Sequence, residues 1–205
     1  MAAQFVDPEV SRAKFEREIA DYRANEEDYR ARGWLLLDAT FPIVRVVLCA
    51  ARVKPPAVIT GVELDYTNYD ERPPSVRLID PFTGTPYAWE SLPTMLKRRV
   101  VGPPVELPGI PRGADGQLPR MLTEQTLMQP DPPNGTPFLC VAGVREYHDH
   151  PAHSGDSWDL HRPSGAGRLV RILEVIDTYG VRPISGYNVT LTPQISGFVQ
   201  SELPE

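Results

Sequence analysis

At 205 residues the chain is long enough for one domain whose core needs no disulfide or metal to hold it, and its 41% hydrophobic content is that of an ordinary globular protein. A formal net charge of −6 argues against nucleic acid as a partner, because that surface would need a basic face. Two cysteines are too few for a disulfide framework and point to a reducing compartment; with no charged-then-apolar leader and no apolar run near the roughly 18 residues of a membrane span, a cytoplasmic protein without membrane contact is expected.

Asp7-Pro8 is a helix start, a capping side chain followed by proline at the first helical position. From Glu9 to about Arg32 the chain is rich in Glu, Arg and Ala, and Phe15, Ile19, Tyr22 and Tyr29 fall on one stripe. The spacing predicts an amphipathic helix with a charged outer face, ended by Gly33. Four strands then follow in quick succession: Trp34 to Thr40, Ile43 to Arg52, Val58 to Tyr66 and Ser75 to Asp80. Their links are short and carry Pro, Asn or Asp, so an antiparallel meander is expected. Cys49 sits within an apolar run and reads as core.

Proline is abundant, 23 residues, and concentrated between Pro81 and Pro137. That segment is expected to be mostly loop, an insertion within a single domain spanning 1–205. Leu92 to Val101 could hold one helical turn or a short strand. Phe138 to Val141 reads as a short buried strand. Arg168 to Tyr179 reads as a helix with Leu169, Ile172, Leu173 and Ile176 on its buried face and Gly180 as its C-cap. Tyr187 to Ile195 reads as a last strand or extended tail. The fold class is therefore α+β.

The chemistry gathers between Phe138 and Arg162. All four histidines, His148, His150, His153 and His161, lie there, with Cys140 just upstream and Glu146, Asp149 and Asp156 interleaved. A thiol beside imidazoles suits nucleophilic catalysis: Cys140 as nucleophile, His148 or His150 as its base, and Glu146 or Asp149 orienting that base. Asn134, Trp158 and backbone N–H groups are candidate donors to an oxyanion. Thiolate and imidazole also suit zinc, so Cys140, Glu146, His148, His150, His153 and His161 form an alternative ligand pool, with Glu146 as ligand or general base of a hydrolase. The spacing matches no common zinc signature: there is no CxxC and no HExxH. A third possibility is a hydrogen-bonded network that pins a long connection, and for Trp158 core packing. Arg145 and Arg162 flank the cluster and could bind a carboxylate or pair with nearby acids.

An N-terminal helix, a four-strand meander, a cysteine after a long loop and then a helix resemble, in that order, the ubiquitin-conjugating enzyme (UBC-like) fold. Tyr69 to Leu78 (YDERPPSVRL) is similar to the family segment in which a tyrosine precedes a double proline and opens the fourth strand. Gly135 to Val141 (GTPFLCV) resembles its glycine, apolar residue, active-site cysteine, apolar residue; Trp158 and the helix after it resemble the family's tryptophan and following helix. The family's His-Pro-Asn triplet is missing: Asn134 stands in that region without the histidine. The Cys140–Trp158 interval is longer than the family's, and the histidines fill the excess. The divergent bacterial branch, encoded in antiviral operons beside activating enzymes, ubiquitin-like proteins and peptidases, is the part of the superfamily the chain most resembles. A metal-binding type from those operons, marked by Cys, Glu, His and His, is likewise similar in Cys140, Glu146 and two of the histidines.

The resemblance implies acyl carriage or transfer through a Cys140 thioester without a cofactor. The implied partners are a ubiquitin-like protein, a ubiquitin-activating-type enzyme docked on the N-terminal helix, and a protein acceptor. A zinc-dependent hydrolase in the same pathway and a non-catalytic binding module are the alternatives.

Overall fold

The computed structural model of the protein describes residues 4–106, 109, 112, 116–130 and 136–188. The first helix, α1 (Pro8–Arg23), begins as expected: the Asp7 side chain accepts from Glu9 N and Pro8 occupies the first turn. Phe15, Ile19 and Tyr22 are buried. The helix does not run on to Arg32. It breaks at Ala24-Asn25, and a short α2 (Glu26–Ala31) follows. The break lets Tyr29 pack between Tyr22 (ring centroids 4.9 Å) and Trp34 (5.0 Å, nearly parallel), a contact that the stripe spacing alone disguises as a continuation of α1. Gly33 has φ +93°, and a Cβ there would stand 2.4 Å from the Cys49 carbonyl oxygen, so the turn into the sheet requires glycine.

The meander is β1 (Trp34–Thr40), β2 (Ile43–Ala50), β3 (Ala57–Asp65) and β4 (Ser75–Ile79), antiparallel in the order β1-β2-β3-β4. The register aligns Val46 with Val62 and Leu78, and Val44 with Leu64 and Val76, so one face is a continuous apolar surface. Helix α1 covers it, with Phe15 meeting Phe41 and Tyr66 edge-on at 5.5 and 5.7 Å. Cys49 is half-buried rather than core.

The 81–137 segment holds more structure than its prolines suggest. Strands β5 (Lys97–Pro104) and β6 (Arg120–Thr126) form an antiparallel ribbon, and β7 (Met128–Gln129) pairs with β8 (Phe138–Leu139). Two short helices follow the cysteine, α3 (Arg145–Asp149) and α4 (Trp158–His161). Helix α5 (Leu169–Ile176) then packs beside α1, burying Leu169, Ile172, Leu173 and Ile176. It continues into a π-helical turn, Asp177–Val181. Gly180 is not a C-cap. It lies inside that turn, where a Cβ would come within 3.0 Å of the Leu96 side chain, so close packing explains it. Tyr187 and Asn188 are not in a strand, and the rest of the expected tail strand lies outside the described residues. Among the described residues no helix is long and apolar enough to cross a membrane.

Candidate functional site around Cys140

Backbone pairing sets the position of Cys140. Its N–H donates to Leu127 O at 2.7 Å, one residue beyond the β7–β8 ladder, so the cysteine sits where the buried Phe138-Leu139 strand emerges. The chain then turns at Gly143 (φ +100°), whose missing Cβ leaves room for the Ala166 carbonyl, 2.4 Å from where that atom would stand. Helix α3 is fastened to the start of β4. The buried Arg145 donates from its backbone to Pro74 O (2.9 Å) and from its guanidinium to Pro73 O, Asp65 O and Thr67 O (3.2, 3.2 and 2.6 Å). Arg145 is therefore a brace, and the carboxylate its guanidinium faces is Asp65, at 3.9 Å. Arg162 pairs with Glu71 at 3.1 Å and is engaged likewise.

Glu146 is engaged on β4. Its carboxylate accepts from the Ser75 hydroxyl and from Val76 N (3.3 Å), holding α3 on β4. Asp149 pairs with Arg72 at the surface. Neither acid orients a base for Cys140.

The four imidazoles have four different environments. His148 Nε2 accepts from Gly143 N (3.1 Å), which leaves the proton on Nδ1 to be donated to Asp156 O (2.9 Å). Both nitrogens are spent on the loop, and burial pushes the pKa of His148 down. His150 stacks on Phe138 (5.2 Å) and its Nδ1 accepts from Ala152 N (3.2 Å). His161 Nε2 lies 2.6 Å from Asp156 Oδ1. His153 alone reaches the cysteine: its Nε2 is 3.3 Å from Cys140 Sγ. The imidazole beside the thiol is thus His153 and neither His148 nor His150; the tight turn Pro151–His153 that follows α3 brings it over.

Tyr147 supports this pair. Its ring stacks on His153 (centroids 4.0 Å) and its hydroxyl donates to Asp156 Oδ2. That hydrogen bond, more than burial, lifts the Tyr147 pKa to about 12, and together with His161 it holds the Asp156 carboxyl below its usual range. The Cys140 thiol is pushed up by burial, with the nearby Arg98 guanidinium opposing. Burial thus disfavours the thiolate form while an imidazole nitrogen stands 3.3 Å from the sulfur.

Trp158 is buried; its Nε1 donates to Asp70 O (2.8 Å) and its ring packs on Gly167, which also abuts Pro74. Ser157 caps α4 by accepting from Asp159 N (3.3 Å). Asn134 lies outside the described residues.

The six side chains of the zinc expectation, Cys140, Glu146, His148, His150, His153 and His161, do not converge. Among the described residues no three His, Cys, Asp or Glu side chains form a metal-holding group. The donor set brings together a thiol and one imidazole, where a structural or catalytic zinc needs at least three protein donors.

Half-buried Cys140 lines a cleft of about 520 Å³ whose walls include Tyr147, His161, Arg98 of β5 and Arg171 of α5. The two arginines escape a sequence reading centred on the histidines, since they stand far from Cys140 along the chain. The one local hint is their place in strongly patterned elements, the Lys97-Arg98-Arg99 run and the α5 helix.

The molecule is thus an α+β protein with a thiol–imidazole pair at a cleft lined by residues of β5, β8 and α5. The chain belongs to the Y4jH family, whose model, described as "Y4jH-like: Y4jH family", matches residues 6–184. It is similar to the protein named "Uncharacterized protein y4jH" from Sinorhizobium fredii, with 42% identity over 198 residues, 96% of this chain and 94% of that one.

Proposed function

We propose that the protein carries an acyl group on Cys140, as a ubiquitin-conjugating-type component of a ubiquitin-like pathway. The observation that carries this reading is the Cys140 Sγ–His153 Nε2 contact of 3.3 Å beside an accessible cleft. The element order supports it: α1, a four-strand antiparallel meander, the double proline opening β4, a cysteine one residue past a buried strand, a buried tryptophan and a helix. In the proposed step the Cys140 sulfur attacks the thioester carbonyl of a ubiquitin-like C-terminus held on an activating-type enzyme. A C–S bond forms at Cys140, the donor's C–S bond breaks, and the Cys140 proton passes through His153 to the departing thiolate. A protein acceptor would then take the acyl group. The charged face of α1 is where this reading docks the activating-type enzyme.

The test uses the full chain with a candidate activating-type enzyme, its ubiquitin-like protein and ATP. The expected product is an adduct that migrates on non-reducing gels and is released by thiols. Cys140→Ser gives instead a thiol-resistant oxyester, and His153→Ala slows transfer by about 10²-fold or more. No adduct with a partner set shown to be active on its own conjugating protein refutes the reading.

A further inference from the structure

The Cys140 cleft has an electrostatic character that the acyl chemistry does not require. Arg98 and Arg171 both line it, and no carboxylate among the described residues does. Arg98 spends its Nε on a neutral partner, Gln125 Oε1, at 2.8 Å. Two nearby acids are already engaged, the first of them by residues of the cleft wall. Asp156 accepts from Tyr147 and contacts His161, and Glu174, one turn along from Arg171 on α5, faces Arg32 at 3.7 Å. Two guanidinium groups in a partly walled space, with no carboxylate in its lining, favour an anion, and their planar forks match the oxygens of carboxylate or phosphate.

We propose that the cleft is an oxyanion-binding subsite beside the thiol, in which Arg98 and Arg171 hold a carboxylate or phosphate group of the molecule that reacts at Cys140. The proposal rests on Cys140 being the reacting thiol, as above, but not on the acyl donor being a ubiquitin-like protein. The anion sits on the guanidinium side of the sulfur and leaves the His153 side free for proton transfer.

Alkylation of the native chain tests it. Iodoacetate and iodoacetamide both react by the same displacement, in which the sulfur forms a C–S bond, iodide leaves and the thiol proton goes to solvent. They differ in carrying a carboxylate or a neutral amide. Rates at Cys140 and Cys49 are read separately by mass spectrometry, so Cys49 is the internal reference. The expected result is an iodoacetate/iodoacetamide rate ratio at Cys140 about tenfold above that at Cys49, saturable in iodoacetate and reduced by salt. In Arg98→Gln and in Arg171→Gln the ratio falls back toward that of Cys49, whereas Arg171→Lys keeps most of it. The ratio is the readout because losing a cation lowers the thiolate fraction equally for both reagents. Protection of Cys140 by glycylglycine but not by its amide identifies a C-terminal carboxylate as the source of the anion; protection by inorganic phosphate instead identifies a phosphate. A wild-type ratio equal to that of Cys49, or one unchanged in both glutamine variants, overturns the proposal. Thioester formation is scored independently, so a preserved iodoacetate preference without any adduct would remove the acyl-carrier reading and leave the subsite standing.

Discussion

Cys140 and His153 are near enough for proton transfer, yet burial raises the thiol pKa and only Arg98 opposes it. The sign follows directly. A thiol whose pKa is raised is still protonated at a pH where a free cysteine has begun to ionise, so its alkylation rate rises later on the pH axis. The expected midpoint for iodoacetamide at Cys140 lies above the ordinary thiol value of about 8.5, and Arg98→Gln moves it higher still. A midpoint well below that value would mean a standing thiolate–imidazolium pair, and the deprotonation step assigned to His153 would then be unnecessary. The sequence points to the stretch from Cys140 to His161 because four imidazoles and a thiol gather in it. Which imidazole stands beside the thiol was not legible. In an extended segment His148 and His150 would stand closest to use, but α3 and the turn after it rotate them onto Gly143 and Phe138 and bring His153 to the sulfur.

The helix α5 is started from outside itself. Its N-cap, Arg168, supplies no side-chain hydrogen bond, and the Leu169 N–H is instead taken by Glu18 Oε2 of α1 at 3.0 Å. A carboxylate at that end also complements the helix dipole. Burial pushes the Glu18 pKa up, with the Leu169 hydrogen bond and the Arg168 charge opposing. Glu18→Ala leaves the Leu169 N–H buried without its acceptor and is expected to cost about 1–3 kcal/mol in urea unfolding. Glu18→Gln keeps a carbonyl acceptor and is expected to cost clearly less; equal losses in the two variants would mean that the charge, not the hydrogen bond, matters. Other elements were more or less readable for similar physical reasons. Strands β1 to β4 alternate and are joined by short polar or proline links, so period and punctuation agree. The β5–β6 ribbon was hidden because its connection is long and rich in proline and glycine, and because β5 itself ends in Pro103-Pro104. The break at Asn25 was hidden because Tyr29 keeps the stripe of α1 going while serving a different contact.

For the molecule as a whole, two kinds of contact hold two parts together. The sheet and helices α1 and α5 share one apolar core of widely separated residues. The Cys140 to His161 segment is held partly by its own near neighbours: His148 on Gly143 and Asp156, Tyr147 on His153 and Asp156, and His161 on Asp156. Other polar ties run to β3, β4 and the loop between them: Arg145 on Asp65, Thr67, Pro73 and Pro74, Glu146 on Ser75 and Val76, Asp149 on Arg72, and the Trp158 indole on Asp70 O. The arginines of the cleft come from β5 and α5, so the sulfur and its proposed anion partners belong to different parts of this arrangement. The Trp158 indole bond to Asp70 O is one of these ties, and its loss is expected to change the timing of local opening. Amide hydrogen exchange reads that timing. Protons of 143–161 are expected to exchange by local opening, faster than those of Val46 and Leu64, and Trp158→Phe, which keeps the ring but not the N–H donor, is expected to speed the first set several-fold while leaving the second unchanged. Acceleration of both sets alike would mean that the loop unlatches only when the whole molecule unfolds, and that the meeting of thiol and imidazole is then as long-lived as the fold itself.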